Sequence, residues 1–178
     1  MKENFTLSIF TENQVGLLNR VTIIFTRRKI NIESIAASES EVDGVHRYTI
    51  VINETEEQVK KVVAQLEKQV EVLKAFYHLD EQLVYQEIAL YKIPTQASLE
   101  NQGSIERLTR EHNARLISFE KDFIVIEKTG HNSETTTLFN ALKPFGLLEF
   151  VRSGRVAISK PMKTLNSYIK ELEELSKN

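Results

Sequence analysis

The chain has 178 residues, 41% of them hydrophobic, with 23 Lys and Arg against 25 Asp and Glu and no cysteine. This length fits one domain or two small ones with a buried core. The net charge of −2 lacks the basic excess of nucleic-acid-binding proteins, and no stretch approaches the roughly 18 apolar residues of a membrane span. The lack of cysteine excludes disulfides, a thiol nucleophile and thiolate metal ligands. The polar residues 1–4 contain no apolar signal core, so we expect a cytoplasmic protein without nucleic-acid or membrane partners.

The first half of the chain predicts the element order βαββαβ. Apolar residues alternate at the start, which is typical of a strand with one buried face, and then recur at helical spacing. In chain order the predicted elements are a strand over 5–10, a helix from Leu17 to near Lys29, a hairpin of strands 30–38 and 47–52 around the turn Asp43–Gly44, a helix with an apolar face over 59–70, and a strand over 72–79.

The second half repeats this order with weaker signals. Its predicted elements are a strand over 84–93, a polar loop over 94–103, a helix over 104–112, strands over 115–119 and 123–128, a helix over 133–142, and a closing strand or hairpin from 147–152 and 155–159. Three successive Thr residues disfavour the helix at 133–142. That helix is therefore predicted from the repeat and from the stop signal Pro144-Phe145-Gly146.

The boundary between the halves falls near Asp80-Glu81. It gives an N-terminal domain over 1–80, a C-terminal domain over 81–160 and an amphipathic helix over 161–178 with Pro161 near its start. The helix is expected to pack back on its own domain, with docking to a partner as the alternative. Its apolar stripe consists of Leu165, Ile169, Leu172 and Leu175.

The repeated order predicts an α+β fold of two tandem ferredoxin-like βαββαβ sandwiches, each with its helices on one face of a four-stranded antiparallel sheet. Such a sheet leaves its other face uncovered. Because Val51 is apolar on the opposite side from Ile50 and Ile52, both faces require cover, which predicts an oligomer. The strand over 30–38 has no Lys or Pro to protect its edge, so a dimer formed by sheet extension is expected.

No cluster of residues predicts catalysis or a metal site. The four histidines His46, His78, His112 and His131 are scattered without ligand spacing, so they are expected to be ordinary surface or edge residues. The acidic runs Glu54–Glu57 and Glu171–Glu174 are expected to be solvated helix faces.

The segment from Asn13 to Leu18 joins the first strand to the first helix and is the most informative part of the chain. A helix start presents free backbone N–H groups and a partial positive charge, and Gly16 permits close approach of a ligand, so a carboxylate is the expected ligand. Asn13 is expected either to cap the helix or to bind the ligand. Asn31, between Ile30 and Ile32, is half-buried if the edge strand forms a dimer seam, where it would need a facing strand or a ligand as partner.

Two longer segments carry a family resemblance, NQVGLLNRV at 13–21 and FTRRKINIESI at 25–35. They closely resemble the start of the small regulatory subunit of acetohydroxyacid synthase (acetolactate synthase), a family that begins with an ACT domain. Shorter matches extend the resemblance from residue 1 to about residue 160. They lie at 70–74, 87–90, 144–146 and 153–157.

The resemblance implies a non-catalytic subunit that forms a homodimer, binds a branched-chain amino acid, usually valine, and associates with a separate catalytic large subunit. It would activate that subunit and confer feedback inhibition. No cofactor is implied in this chain, because thiamine diphosphate, FAD and magnesium belong to the catalytic partner. The implied effector site combines Asn13, Gln14, Val15, Gly16, Leu17 and Leu18 of one subunit with Asn31 and Ile32 of its neighbour. Departures from the family pattern at Ile23 and Lys29-Ile30 imply an altered pocket shape, so the effector's identity stays open.

Two other functions are conceivable for this fold, but the sequence lacks the features that they need. An acylphosphatase-like hydrolase shares the sandwich plan but needs an Arg in its phosphate loop, and residues 11–16 contain none. A free-standing, amino-acid-sensing transcriptional regulator predicts a basic helix or an added DNA-binding module, which neither the charge balance nor the length provides.

Overall fold

The computed structural model describes residues 1–100, 102–160 and 165–175, with the backbone alone for 102 and 171–175. The chain divides into two compact units. The first contains Met1–Val84 and the segment that begins at Arg155, and the second is Tyr85–Gly154. In chain order the elements are β1 Glu3–Glu12, α1 Leu17–Arg27, β2 Ser34–Glu39, β3 Val45–Glu54, α2 Glu56–Leu66, β4 Val72–Leu79, β5 Leu83–Pro94, α3 Thr95–Glu100, α4 Gln102–Glu111, β6 Arg115–Phe119, β7 Phe123–Gly130, α5 Asn132–Leu142, β8 Glu149–Arg152, β9 Val156–Ser159 and α6 Leu165–Leu175.

The first unit is built on an antiparallel sheet of order β2-β3-β1-β4, so β2 and β4 are its edges. Helices α1 and α2 lie together on one face, since their apolar stripes join the inward residues of the strands in a single core. Gly44, with φ +72°, makes the turn of the predicted β2–β3 hairpin. The best-buried core residues are Phe5, Leu7, Ile9, Val21, Phe25, Ile50, Ile52, Val59, Val62 and Leu66.

The other face of this sheet is covered by the C-terminal part of the same chain. Phe10 of β1 packs with Leu165 of α6, and the buried Arg155 donates a hydrogen bond from Nη1 to Thr6 Oγ1 over 2.9 Å. All residues of β1 from Phe5 to Thr11 are consequently buried. The prediction of one buried face for this strand is wrong, because a segment about 150 residues away in sequence supplies the cover. Within the described residues, the apolar second face therefore does not by itself require a partner chain.

The second unit repeats the plan with a sheet of order β6-β7-β5-β8. Tyr91 of β5 lies at its centre and donates its hydroxyl to the carbonyl of Thr135 in α5 over 2.6 Å. Helix α5 forms despite its Thr run, because Thr135 and Thr137 donate their hydroxyls to the carbonyls of Asn132 and Ser133 one turn earlier. The buried residues of this core are Ala89, Tyr91, Ile93, Ile105, Ile124, Ile126, Leu138 and Leu142.

The α+β fold with two βαββαβ-like units is confirmed, but two further local predictions, for residues 94–103 and for Val70, are wrong. The polar loop expected over 94–103 contains helix α3, which Thr95 anchors by donating its amide to Asp122 O and its hydroxyl to Glu120 O. Val70, expected on the face of the second helix, lies beyond the end of α2 and is 92% exposed. Of the closing strand or hairpin predicted from 147–152 and 155–159, the structure contains strands β8 and β9, but each pairs with β5 and not with the other.

Helix α6 packs back on its own chain rather than standing free. Leu165 is buried, and Ile169 packs against the cluster that contains Phe10. Pro161, expected near the start of this helix, lies outside the described residues, as do the side chains of Leu172 and Leu175. The residues from 155 to 160, predicted as part of the second domain, cluster with the first unit.

Candidate functional site

The turn between β1 and α1 is shaped by Gly16, which directly precedes the helix. Gly16 adopts φ +83°, a left-handed conformation that side chains with a Cβ rarely take. A Cβ placed there would meet nothing within 4 Å, so the backbone conformation rather than space favours glycine. The buried Leu17 anchors the turn to the core.

Some polar atoms of this turn are engaged, since Gln14 donates Nε2 to Glu12 Oε2 over 2.6 Å, and others are open to a ligand. Asn13, Gln14 and Val15 are exposed. Asn13 does not cap the helix, because the N-cap residue is Gly16 and no side chain forms a capping hydrogen bond. The amide of Leu17 already donates to the carbonyl of Gln14 over 3.3 Å. Within the described residues, the amides of Leu18 and Asn19 have no backbone acceptor, as expected at a helix start. The turn therefore presents N–H donors and an amide side chain to solvent.

Asn31 lies before the edge strand rather than at its start. The sequence predicts a strand from residue 30, but β2 begins at Ser34, and this boundary is wrong because pairing with β3 begins only where Glu33 donates its amide to Val51 O. Lys29, with φ +55°, turns the chain out of α1. Asn31 is exposed in the single chain and donates Nδ2 to Glu33 Oε1 over 2.9 Å, whereas Ile32 packs partly against the core.

The strand register places these two segments at opposite ends of the sheet. Ser34 at the start of β2 aligns through Val51 of β3 with Thr6 of β1. Glu39 at the end of β2 aligns in the same way, through His46, with Thr11. Ser34 and Glu39 are five positions apart along β2, which corresponds to about 17 Å. One chain therefore cannot bring Asn31 to the turn that holds Gly16, and a site that uses both needs two chains.

No candidate metal centre is formed by the residues that the structure describes. They contain no group of three or more His, Asp or Glu side chains placed to hold a metal ion. Among them, no helix is long and apolar enough to cross a membrane.

Arg47 and His78 form a polar pair that the sequence does not predict. His78 lies on the edge strand β4, in agreement with the prediction of surface or edge histidines, and it is half-buried on the second face of the first sheet, where it lines a cavity together with Phe76 and Arg47. Burial lowers the pKa of His78, and the charge of Arg47 lowers it further. The sequence signal for this pair was the second face of β3, where Arg47 alternates with the buried Thr49 and Val51.

Comparison with known proteins identifies the family. The profile described as "AHAS small subunit-like ACT domain" matches residues 7–74, and that described as "Small subunit of acetolactate synthase" matches residues 86–161. The acetolactate synthase small subunit of Bacillus subtilis is 35% identical over 161 residues, which are 90% of this chain and 91% of the relative. The chain belongs to the acetolactate synthase small-subunit family.

Other relatives of this small-subunit family agree over similar lengths. The probable acetolactate synthase small subunit of Archaeoglobus fulgidus is 33% identical over 86% of this chain and 94% of its own. The crystal structure of the acetolactate synthase small subunit of Thermotoga maritima superposes with a TM-score of 0.81 at 28% identity, covering 90% of this chain and 99% of that one. The resemblance that begins in residues 13–21 is confirmed.

Family membership fixes the coarse role of the chain. Small subunits of acetolactate synthase are non-catalytic regulatory subunits of an enzyme of branched-chain amino acid biosynthesis, and they pair with a catalytic large subunit. The chain is therefore a non-catalytic regulatory subunit.

Proposed function

We propose that this small subunit binds a branched-chain amino acid, with valine as the first candidate, in a cleft between two copies of its N-terminal ACT domain. Binding there inhibits the associated catalytic subunit, which the unliganded small subunit activates. The effector site consists of Asn13–Leu18 from one copy and Asn31 and Ile32 from the other. Thiamine diphosphate, FAD and magnesium stay with the catalytic partner, and the cytoplasmic location remains a prediction.

The observation that carries this proposal is the separation of the two segments by the length of β2. In a two-fold dimer, edge strands that pair antiparallel place the start of one β2 beside the end of the other. Asn31 of the neighbouring copy would then lie at the end of the sheet that holds Gly16. Two identical sites form, one at each end of the seam between the paired edges.

The exposed groups suit a zwitterion with an aliphatic side chain. The free amides of Leu18 and Asn19, at the positive end of α1, can donate to a carboxylate. The Oδ1 atoms of Asn13 and Asn31 can accept from an ammonium group. The exposed Leu18 offers an apolar surface next to these groups.

The energetics fit a metabolite sensor. Valine has about eight non-hydrogen atoms, so its affinity falls in the micromolar to millimolar range. Because the site spans two copies, occupancy favours one arrangement of the dimer. A coupling of about 1–3 kcal/mol is sufficient to change the partner's activity between several-fold and a hundredfold, and the partner must in turn change the effector's affinity.

The test is a calorimetric titration of the full chain with valine, leucine and isoleucine, combined with sedimentation analysis of its oligomeric state. We expect a dimer with saturable binding of at least one of the three, with glycine as the control that lacks the aliphatic side chain. The same series is then run on the complex with the catalytic subunit, where the ligand that binds should inhibit. A monomer that binds none of the three would contradict the proposal.

A further inference from the structure

The second face of the first unit's sheet contains a cavity that the effector segments do not line. It encloses about 310 Å³, which is at the lower end of the size range of small-molecule sites. Strands β1, β3 and β4 form its floor, and the C-terminal segment of the same unit forms another wall. Its apolar lining includes Phe10, Phe76 and Leu165, and its polar lining includes Ser8, Arg47 and His78.

The guanidinium of Arg47 is fixed in position at this cavity. Its Nη2 donates to Ser8 Oγ over 2.9 Å and to the carbonyl of Ala157 over 2.7 Å. The group also lies over the ring of Phe10, 5.4 Å from the centroid. A cation held by three contacts loses little freedom when a ligand arrives, so the site is preorganised.

Two buried nitrogen atoms at this cavity have no hydrogen-bond partner in the described part of the chain. They are Nε of Arg47 and Nδ1 of His78. A buried polar atom without a partner is costly, and most such atoms in native proteins have one. Arg47 and His78 therefore keep hydrogen-bonding capacity that no described residue uses.

The charge balance also points to an anion. Burial lowers the pKa of Arg47, and the opposing attraction of Glu41, an exposed carboxylate on the cavity wall, does not offset it. An anion close to the guanidinium would add negative charge and so help to offset the cost of burying Arg47, which Glu41 alone does not offset. The aromatic walls, Phe10 and Phe76, favour an anion with an apolar part over an inorganic ion.

We propose that this cavity binds a small organic monocarboxylate, with its carboxylate beside the side chains of Arg47 and His78 and its apolar part against Phe10 and Phe76. This site differs from the proposed effector site in place and in chemistry, because its lining includes the guanidinium of Arg47 and none of the effector segments. A ligand there touches both the sheet and Leu165 of α6, so its binding also stabilises the folded first unit.

The experiment titrates the full chain with isobutyrate and, as a neutral match of the same shape, with isobutyramide. Binding is followed by the NMR signals of the His78 ring and by the midpoint of thermal unfolding. We expect saturable shifts with isobutyrate and a raised midpoint, and neither with isobutyramide. Absence of saturable shifts, or equal affinity for the amide, overturns the proposal.

Variants assign the binding to the cavity. Arg47→Gln should weaken isobutyrate binding by about tenfold or more, as expected for the loss of a hydrogen bond to a charged group. Arg28→Gln is the matched control, since Arg28 lies outside the cavity in the same unit and donates one hydrogen bond, to Gln65. If Arg47→Gln does not fold, His78→Phe keeps the ring shape, removes Nδ1 and carries the test with the midpoint as readout. Equal loss in Arg28→Gln overturns the assignment.

A third variant separates this site from the effector site. Gly16→Asp should leave isobutyrate binding unchanged even where it removes valine binding, because Gly16 does not line the cavity. Loss of isobutyrate binding in Gly16→Asp would overturn the separate site. Failure of valine binding alone would contradict only the proposed function.

Discussion

Gly16 joins a left-handed backbone conformation to an open approach for ligands. Any side chain at φ +83° is strained by about 1 kcal/mol, although there is space for a Cβ. A substitution at Gly16 therefore changes both the backbone energy and the groups that a ligand meets. A useful variant must separate these two effects.

Gly16→Asp compared with Gly16→Asn makes that separation. Both residues tolerate the left-handed conformation similarly and have nearly the same shape, so they differ mainly in charge. We expect Asp to weaken valine binding by more than tenfold relative to Asn, because its carboxylate repels that of the effector. Calorimetry gives the two affinities, and circular dichroism checks that both variants fold. Equal affinities would remove Gly16 from the carboxylate site.

Tyr91 shows how a buried hydroxyl adds to the stability of the second unit. Burial raises its pKa to about 12, against an ordinary value of 10.0. The folded state therefore holds the proton more tightly than the unfolded chain. The resulting stabilisation is complete below pH 10 and is lost as the pH rises towards 12.

Tyr91→Phe tests this linkage. At pH 7 the variant should be less stable by about 1 kcal/mol, because the carbonyl of Thr135 loses a donor. The stability difference from the unmodified chain should shrink between pH 10 and pH 12, since only the unmodified chain has this hydroxyl to titrate. Urea unfolding at several pH values measures the difference. A difference that stays constant up to pH 12 would contradict the raised pKa.

At the scale of single elements, the local sequence pattern was sufficient to predict the ends of some strands. β4 and β6 have the predicted ends, whereas α5, which differs by one residue, was predicted from the repeat and from its stop signal rather than from its own pattern. Helix α3 was missed because its polar sequence resembles a loop and its start is held by contacts with Glu120 and Asp122, which no local pattern shows. The start of β2 was misplaced because Ile30 and Ile32 are apolar for packing against the core rather than for pairing.

The C-terminal segment is the element whose role depends most on tertiary contacts. Leu165 is 1% exposed against the second face of the first sheet, whereas Val156, in the same segment, is 66% exposed. Leu165→Ala should reduce the free energy of unfolding by about 2–5 kcal/mol, because it leaves a cavity. Val156→Ala is the control and should change it by about 0.5 kcal/mol or less. Chemical denaturation measures both, and equal effects would show that α6 does not cover the sheet.

At the scale of the whole molecule, the two-chain site predicts complementation between defective copies. Gly16→Asp and Asn31→Ala homodimers should each bind valine weakly. A mixed dimer contains one site with both changes and one site with neither, so about half of the sites should recover unmodified affinity. If both segments belonged to one chain, no site in the mixed dimer would be intact.

The experiment mixes differently tagged chains, isolates the mixed dimer and titrates it with valine. The matched control is a mixed dimer of Gly16→Asp and Asn140→Ala, where Asn140 is an exposed residue of α5 outside both segments. It should also keep one intact site. Absence of recovery in the Gly16→Asp and Asn31→Ala mixture would contradict the two-chain site.

The parts of the site that depend on local sequence could be predicted, whereas the parts that depend on tertiary contacts could not. The segment around Gly16 was found because a helix start with an adjacent glycine is a local signal, and the family resemblance extended the prediction to Asn31. Arg47 and His78 were not found, because their burial depends on the segment from Arg155 onward lying over the sheet. Sequence periodicity cannot show which distant segment covers a face.

The division of the first unit between the two ends of the sequence affects the order in which the protein forms during translation. On the ribosome, Tyr85–Gly154 emerges complete, whereas the second face of the sheet before it lacks its cover until Leu165 has been made. A nascent chain stalled before that point would display Phe10 and Val51 to chaperones or to other unfinished chains. The first unit can therefore be completed only after residue 165 has been translated.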